Sequence, residues 1–355
     1  MELSEALTKI QPASAAAYDA AYQHWKSLGK PLYSLGMLEE YICRVAAMRG
    51  TARVTLSKPG LIIMCADNGV VAEGVSQVGQ EATTSVTENF THGNTSVAIM
   101  ARHAGIDIFP VDIGVNHIFD NPGIIDRKIA MGTKNIVHEP AMTLDEAKRA
   151  IAAGIDMVGQ LALSGYDVIA TGEMGIGNTT TSSAILSVLL HEPVEKMTGK
   201  GSGLTRAGMQ RKINAIKQAV AVNNPDPDDA LDVLAKVGGL DIAGLAGVFL
   251  GGAVYKLPVL IDGVISATAA LVAKSICPLA GDYMLASHCS KEPAGQMVLQ
   301  ALELRAPLQA DMCLGEGTGA VAFLPVLQLG LAVYNEMSTY AEARLADYTE
   351  LEEKL

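Results

Sequence analysis

The sequence predicts an α/β fold, a parallel sheet flanked by helices, and three observations carry that reading. Short apolar, strand-like runs recur at 61–64, 106–111, 168–170, 259–261 and 283–286. Each is followed by polar or glycine-rich residues and then a helical pattern, the alternation that crossover helices impose on a parallel sheet. Aromatic residues make up only 5% of the chain, while 35 glycines and 15 methionines suit tight turns and close helix packing better than an all-β sandwich.

Taken in order, the first 45 or so residues are helical in pattern and poor in strands. Thr143 and Glu146 form a capping box ahead of a helix that runs to about Ser164. A glycine-rich turn follows the run at 168–170, and a helix begins near Thr179. Gly199-Lys200-Gly201-Ser202-Gly203 precedes a further helix carrying Lys212, and Asp226-Pro227 opens another that stops near Gly238-Gly239. The most apolar long stretch, 240–259, contains Asp241, Lys256 and several glycines, so it reads as a buried helix leading into a strand rather than a membrane span. The last 30 residues are again helical in pattern. Chain ends often lie close together. Both ends are therefore expected to form a small helical domain, 1–45 plus 325–355, beside an α/β domain over 46–324, although no linker or repeat marks the boundary.

Charge and composition exclude several classes. With 26 Lys and Arg against 38 Asp and Glu, the net charge of −12 argues against a broad nucleic-acid-binding face. At 49% hydrophobic residues over 355 positions, the chain is neither disordered nor short of core. Five widely spaced cysteines without a CxxC pair give no disulfide framework or zinc ribbon and read as reduced, mostly buried thiols. The amino end lacks a basic and then apolar leader, so a cytoplasmic protein is expected. Seven scattered histidines show no HxH or HExxH, and a site without metal or redox cofactor is expected.

Ligands of parallel sheets bind beyond the carboxyl ends of strands, which directs attention to three glycine-rich turns. In the first, Glu173, Met174, Gly175, Gly177, Asn178 and Thr179 lie between a strand and a helix, where backbone N–H groups and hydroxyls suit a phosphate. It is not a Walker loop, and it lacks the last glycine of a dinucleotide fingerprint, which disfavours a nucleotide-binding oxidoreductase. In the second, Lys212 on the following helix reads as a phosphate counter-ion or, taken alone, as a solvated surface lysine. In the third, Leu314-Gly315-Glu316-Gly317-Thr318-Gly319 places a carboxylate ahead of a long apolar helix, either as a partly desolvated general base or as a helix-start acid. Asp67, Asp112, Asp241 and Asp262 end strands or turns and suit ribose hydroxyls, developing positive charge, or plain loop bracing. Ser287-His288-Cys289-Ser290 offers hydroxyl or imidazole donors, with no acid at a triad spacing.

Together with Lys30-Pro31-Leu32-Tyr33-Ser34-Leu35-Gly36 and Lys236-Val237-Gly238-Gly239-Leu240-Asp241, these motifs stand in an order that resembles the nicotinate nucleotide:dimethylbenzimidazole phosphoribosyltransferase family over almost the whole chain. The resemblance implies a Rossmann-like sheet, a helical domain built from both ends, and a dimer. It also implies transfer of phosphoribose from nicotinate mononucleotide to a base, giving an α-ribotide for cobalamin assembly. By position, Glu316 would be the general base. Gly175, Gly177, Asn178, Thr179, Lys212 and Ser290 would hold the 5′-phosphate, and Glu173 would face the ribose or nicotinate. Val78 and Val86 stand where dimethylbenzimidazole-specific members carry polar Ser and Gln, and with Met174 and Leu314 they predict an apolar, adaptable base pocket. Either a relaxed or shifted specificity follows, with benzimidazoles accepted and phenols as oxygen nucleophiles if Glu316 reaches the hydroxyl proton, or other polar residues replace the lost pair and dimethylbenzimidazole stays preferred. The partners would be the nucleotide, the base and a second chain, identical or a paralogue. A non-catalytic subunit of a heterodimer is the alternative. The segment 90–96 departs from the family pattern and has no assigned role.

Overall fold

The computed structural model describes residues 1–346 and 348, apart from residue 202. The strands are β1 (Pro59–Ala66), β2 (Asp107–Gly114), β3 (Ile125–Asp126), β4 (Val168–Met174), β5 (Val259–Ile261) and β6 (Met284–Ala286). They form one parallel sheet in the order β3-β2-β1-β4-β5-β6. All five strand-like runs of the sequence are strands. The sixth, β3, is a two-residue addition beside β2, too short to give an alternating pattern.

The amino end supplies α1 (Leu3–Lys9), α2 (Ala15–Ser27) and α3 (Met37–Arg49). Between β1 and β2 lie α4 (Glu81–His92) and α5 (Ser96–Ala104), and α6 (Leu144–Leu163) precedes β4. From β4 the chain runs through α7 (Asn178–Leu189), α8 (Val194–Met197), α9 (Arg206–Asn223), α10 (Ala230–Val237) and α11 (Leu240–Tyr255) to β5. Then α12 (Val264–Ile276) leads to β6, followed by α13 (Gly295–Ala301), α14 (Thr318–Glu336) and α15 (Tyr340–Ala343).

Local chemistry sets the helix ends. Thr143 accepts from Glu146 N–H while the Glu146 carboxylate accepts from Thr143 N–H, the capping box read from the sequence. At α10 the expected start at Asp226-Pro227 is three residues early. Asp226 closes a turn onto Asp229 N–H, and Asp229 caps the helix by accepting from Leu231 and Asp232 N–H. Residues 240–253 of α11 are all buried, as a helix apolar on every side requires. By length and composition α14, not α11, is the helix among the described residues that could cross a membrane, yet its Phe323, Leu324 and Leu327 are fully buried inside the protein. Of the cysteines only Cys43 and Cys65 are buried; Cys277 and Cys289 are half-buried and Cys313 is exposed, so the expectation of mostly buried thiols is corrected.

The order of strands fixes where a ligand can sit. The chain builds outward from β1 through β2 to β3, then returns to add β4, β5 and β6 on the other side. The crossovers leaving β1 and β4 diverge, and a crevice opens at the carboxyl ends of these neighbours.

Candidate functional site

A cavity of about 290 Å³ lies beyond the carboxyl ends of β4, β5 and β6, beside this crevice. Its walls come from six segments: the β4–α7 turn, the β5–α12 turn, the exit of β6, the turn before α14, the stretch around Val75 and Val86, and the loop at Gly201.

The β4–α7 turn is shaped for an anion. Gly177 caps α7 with φ +96°, and a Cβ there would also come within 2.9 Å of Val71, so both conformation and space demand glycine. The N–H groups of Thr180 and Thr181 fold back onto the Gly177 carbonyl. The Asn178 N–H is spent on the Gly175 carbonyl, which leaves the Thr179 N–H as the orphan donor of this helix start. Behind the turn, Lys212 from α9 is fully buried and donates to Thr179 Oγ1 at 2.8 Å and to the Gly199 carbonyl at 3.2 Å. It is therefore no solvated surface lysine. Burial pulls its pKa down to about 8, with the Glu292 carboxylate opposing that shift. An ammonium with three donors, two spent on the protein and one left over, is suited to a phosphate resting on the same turn. Of the second glycine run, Gly201 lines the cavity, and Ser202 lies outside the described residues.

Acidic groups crowd the floor. Glu173 is fully buried, and burial, followed by the charges of Asp241 and Asp262, pushes its carboxyl up to about 8. Burial likewise raises Asp241 to about 7. The Asn178 side-chain amide bridges the two, donating to Glu173 and, at 3.1 Å, to Asp241. Their proton equilibria are shared, and the pair retains a proton at neutral pH. Asp67 and Asp112, by contrast, brace loops: Asp67 accepts from Asn116 N–H, and Asp112 accepts from Val115 N–H and pairs with Lys128.

Glu316 lines the cavity from the turn before α14. Its φ is +62°, between Gly315 at +88° and Gly317 at +98°. Partial burial, above all, lifts its pKa, the nearby Asp262 charge adds to the rise, and the Val97 N–H at the start of α5 opposes it. Its Oε2 is buried and has no hydrogen-bond partner among the described residues. The segment 90–96, unassigned from sequence, thus acquires a structural role. Gly93 ends α4, Thr95 caps α5, and the α5 amino end is set against Glu316.

The remaining predicted residues divide. Ser290, Val86, Met174 and Leu314 line the cavity; Val78 is 44% exposed and lies outside the lining, where Val75 and Ser76 stand instead. His288, almost fully buried, lines the cavity with its Nδ1 3.2 Å from Ser287 Oγ. Sequence reasoning missed Glu292, Val75 and Cys313. Glu292 was within reach, two residues past Ser290; an isolated Val or Cys carries no such signal. No group of three metal-ligating side chains occurs among the described residues.

Comparison with known proteins shows the family and the fold. A family model described as "Phosphoribosyltransferase" matches residues 10–345. The chain is 47% identical over 352 residues to the nicotinate-nucleotide–dimethylbenzimidazole phosphoribosyltransferase of Ruminiclostridium cellulolyticum, covering 99% of this chain and 100% of that one. It is 44% identical over 346 residues to the protein of the same name from Acetivibrio thermocellus, covering 98% and 99%. A crystal structure titled as CobT from Thermus thermophilus superposes with a TM-score of 0.89 at 37% identity, covering 93% of this chain and 99% of the other.

Proposed function

On the premise that the chain belongs to the nicotinate-nucleotide–dimethylbenzimidazole phosphoribosyltransferase family, we propose that it transfers the 5-phosphoribosyl group of nicotinate mononucleotide to an aromatic lower-ligand base. The base nitrogen attacks C1 of the ribose. The bond from C1 to the pyridine nitrogen breaks, its electron pair leaves with nicotinate, and inversion gives an α-ribotide for cobalamin assembly. Glu316 takes the proton released by the incoming nucleophile.

One observation carries this reading: a single cavity holds an anion-shaped helix start backed by buried Lys212 on one wall and Glu316 with an unpartnered oxygen on another. Gly175, Gly177, Asn178, Thr179, Lys212 and Ser290 are assigned to the 5′-phosphate. Anchoring that group lets its binding energy align C1 between nucleophile and leaving group. Glu173, with Asp241 behind it, is assigned to the face where ribose carries positive charge as the bond to nicotinate lengthens. Val86, Met174 and Leu314, joined by Val75, form the base wall, while Val78 is assigned to the rim. That wall offers few fixed polar groups, and discrimination between ring systems comes mainly from polar groups the wrong ligand leaves unpaired. We further propose a dimer, of identical chains or with a paralogue, and a helical lobe of 1–45 with 325–355 beside 46–324, of which 347 and 349–355 lie outside the described residues.

The purified chain, incubated with nicotinate mononucleotide and equal dimethylbenzimidazole and p-cresol, is expected to yield ribotides of both with release of nicotinate. Failure to form either ribotide overturns the function. Formation of the benzimidazole product alone removes the phenol and keeps the rest.

A further inference from the structure

Resting on the reading of Glu316 as proton acceptor, we propose that Asp262 is the positioning residue for that base, clamping the turn before α14 so that Glu316 stays in its left-handed conformation beside the cavity.

Three consecutive residues, 315–317, have positive φ, and only the middle one carries a side chain. The flanking glycines adopt this conformation freely, whereas Glu316 must be held in it. The turn provides no cap of its own, because the residue capping α14 is Gly317, which has no side chain. Asp262, at the carboxyl end of β5 and fully buried, supplies the cap from a different strand. Its Oδ1 accepts from Gly319 N–H at 2.7 Å and Ala320 N–H at 3.1 Å, and its Oδ2 accepts from Gly317 N–H at 3.1 Å. Hydrogen bonds from a helix start to a carboxylate are charge-assisted and therefore among the strong ones.

The same turn is pinned from below and within. Gly172 of β4 packs so closely that a Cβ there would come 2.4 Å from the Glu316 carbonyl oxygen, and a Cβ on Gly315 would come 2.4 Å from Glu173 Oε1. Thr318 Oγ1 donates to the Gly315 carbonyl at 2.8 Å. The His288 ring lies flush against Gly319, where a Cβ would come 1.8 Å from Nδ1. Asp262 lines the cavity but spends both oxygens on backbone N–H groups. It therefore acts through the turn that carries Glu316 rather than on the sugar.

A double-mutant cycle tests this. In Asp262→Asn one atom still accepts from Gly319 and Ala320, but the amide NH2 confronts the Gly317 N–H, donor against donor. We expect kcat to fall about ten- to a hundredfold while Kd for nicotinate mononucleotide changes less than about threefold. Within the Glu316→Gln background the same substitution should cost less than about twofold, because there is no base left to misplace. Losses that multiply in that background, or an unchanged kcat in Asp262→Asn alone, overturn the proposal. Should Asp262→Asn fail to fold, Thr318→Ala loosens the same turn. Its kcat should drop about two- to tenfold at unchanged Kd, with Thr318→Ser restoring it, and an unaffected Thr318→Ala is the contrary result. The Glu316→Gln variant alone checks the underlying reading. Near-normal turnover there removes the base assignment, whereas a slow Glu316→Gln with an unimpaired Asp262→Asn removes only the clamp.

Discussion

At the scale of single residues, Lys212 shows how burial turns a common surface side chain into a selective one. Its ammonium is held against Thr179 and Gly199, and its pKa stands near 8 because burial disfavours the charged form. A phosphate arriving on the α7 turn stabilises the ammonium, so binding and protonation reinforce each other. The sign follows: affinity for the nucleotide is high while Lys212 is protonated and falls as pH rises through about 8. On the acid side, affinity weakens below about 6 as a phosphate monoester loses its second charge. In Lys212→Ala the fall near pH 8 should vanish, and nicotinate mononucleotide should lose about tenfold or more in affinity while phosphate-free nicotinate riboside is barely affected. Titration calorimetry across pH 5.5 to about 9 with both ligands measures each arm. Equal losses for the two would make Lys212 a support for the 199–201 turn and nothing more.

At the scale of elements, the contact between α6 and α11 is made by small residues. A Cβ on Gly154 of α6 would come 2.0 Å from the Gly244 carbonyl, and one on Gly247 of α11 would come 2.0 Å from the Ile151 carbonyl. Each helix thus offers a glycine to the other's backbone. Gly247→Ala would gain up to about 1 kcal/mol in helix propensity, but the methyl group meets a carbonyl that cannot swing away. Overpacking of about 1–3 kcal/mol should win, leaving a net loss of stability in urea denaturation. Because α11 carries Asp241 to the site, this variant should also disturb the Asn178 bridge. The glycine content pointed to close helix packing in general, but which helices meet was not legible in the sequence, where the glycines of 240–259 were set only against a membrane span. What was legible had local causes: five strand runs, the Thr143 cap, and the glycine turns at 175–177 and 315–317. The misjudged features had distant ones. Val78 is left outside by the path of its loop, and α10 starts at Asp229 because that aspartate, not Asp226, reaches the first free N–H groups.

At the scale of the whole molecule, α14 joins two regions that the chain reaches separately. Its first turn follows Glu316, while its last turns lie among the residues of the amino end. Trp25 of α2, 2% exposed, stands edge-on to Tyr334 at 5.1 Å between ring centroids, and the His24 ring nitrogen meets the Tyr334 carbonyl at 2.8 Å. Beyond α14 the chain returns, with Gly29 N–H donating to the Ser338 carbonyl and Leu28 bridging Thr339. The Lys30 ammonium lies over Trp25 and pairs with Glu39 at 2.6 Å, both side chains about nine-tenths buried, which gives the Lys30–Gly36 motif a structural purpose. Removing the indole in Trp25→Ala opens a large void and leaves this pair facing it, at a cost of about 3–5 kcal/mol. Tyr334 and Thr318 are sixteen residues apart, about 24 Å along the helix. A rigid helix end fixed independently by Asp262 should not transmit that loss. Trp25→Ala is therefore expected to unfold at markedly lower denaturant while retaining turnover per folded molecule at low temperature. A parallel collapse of kcat in fully folded Trp25→Ala would instead mean that the chain ends set the position of Glu316 through α14, and that the clamp at β5 alone is not sufficient to hold it.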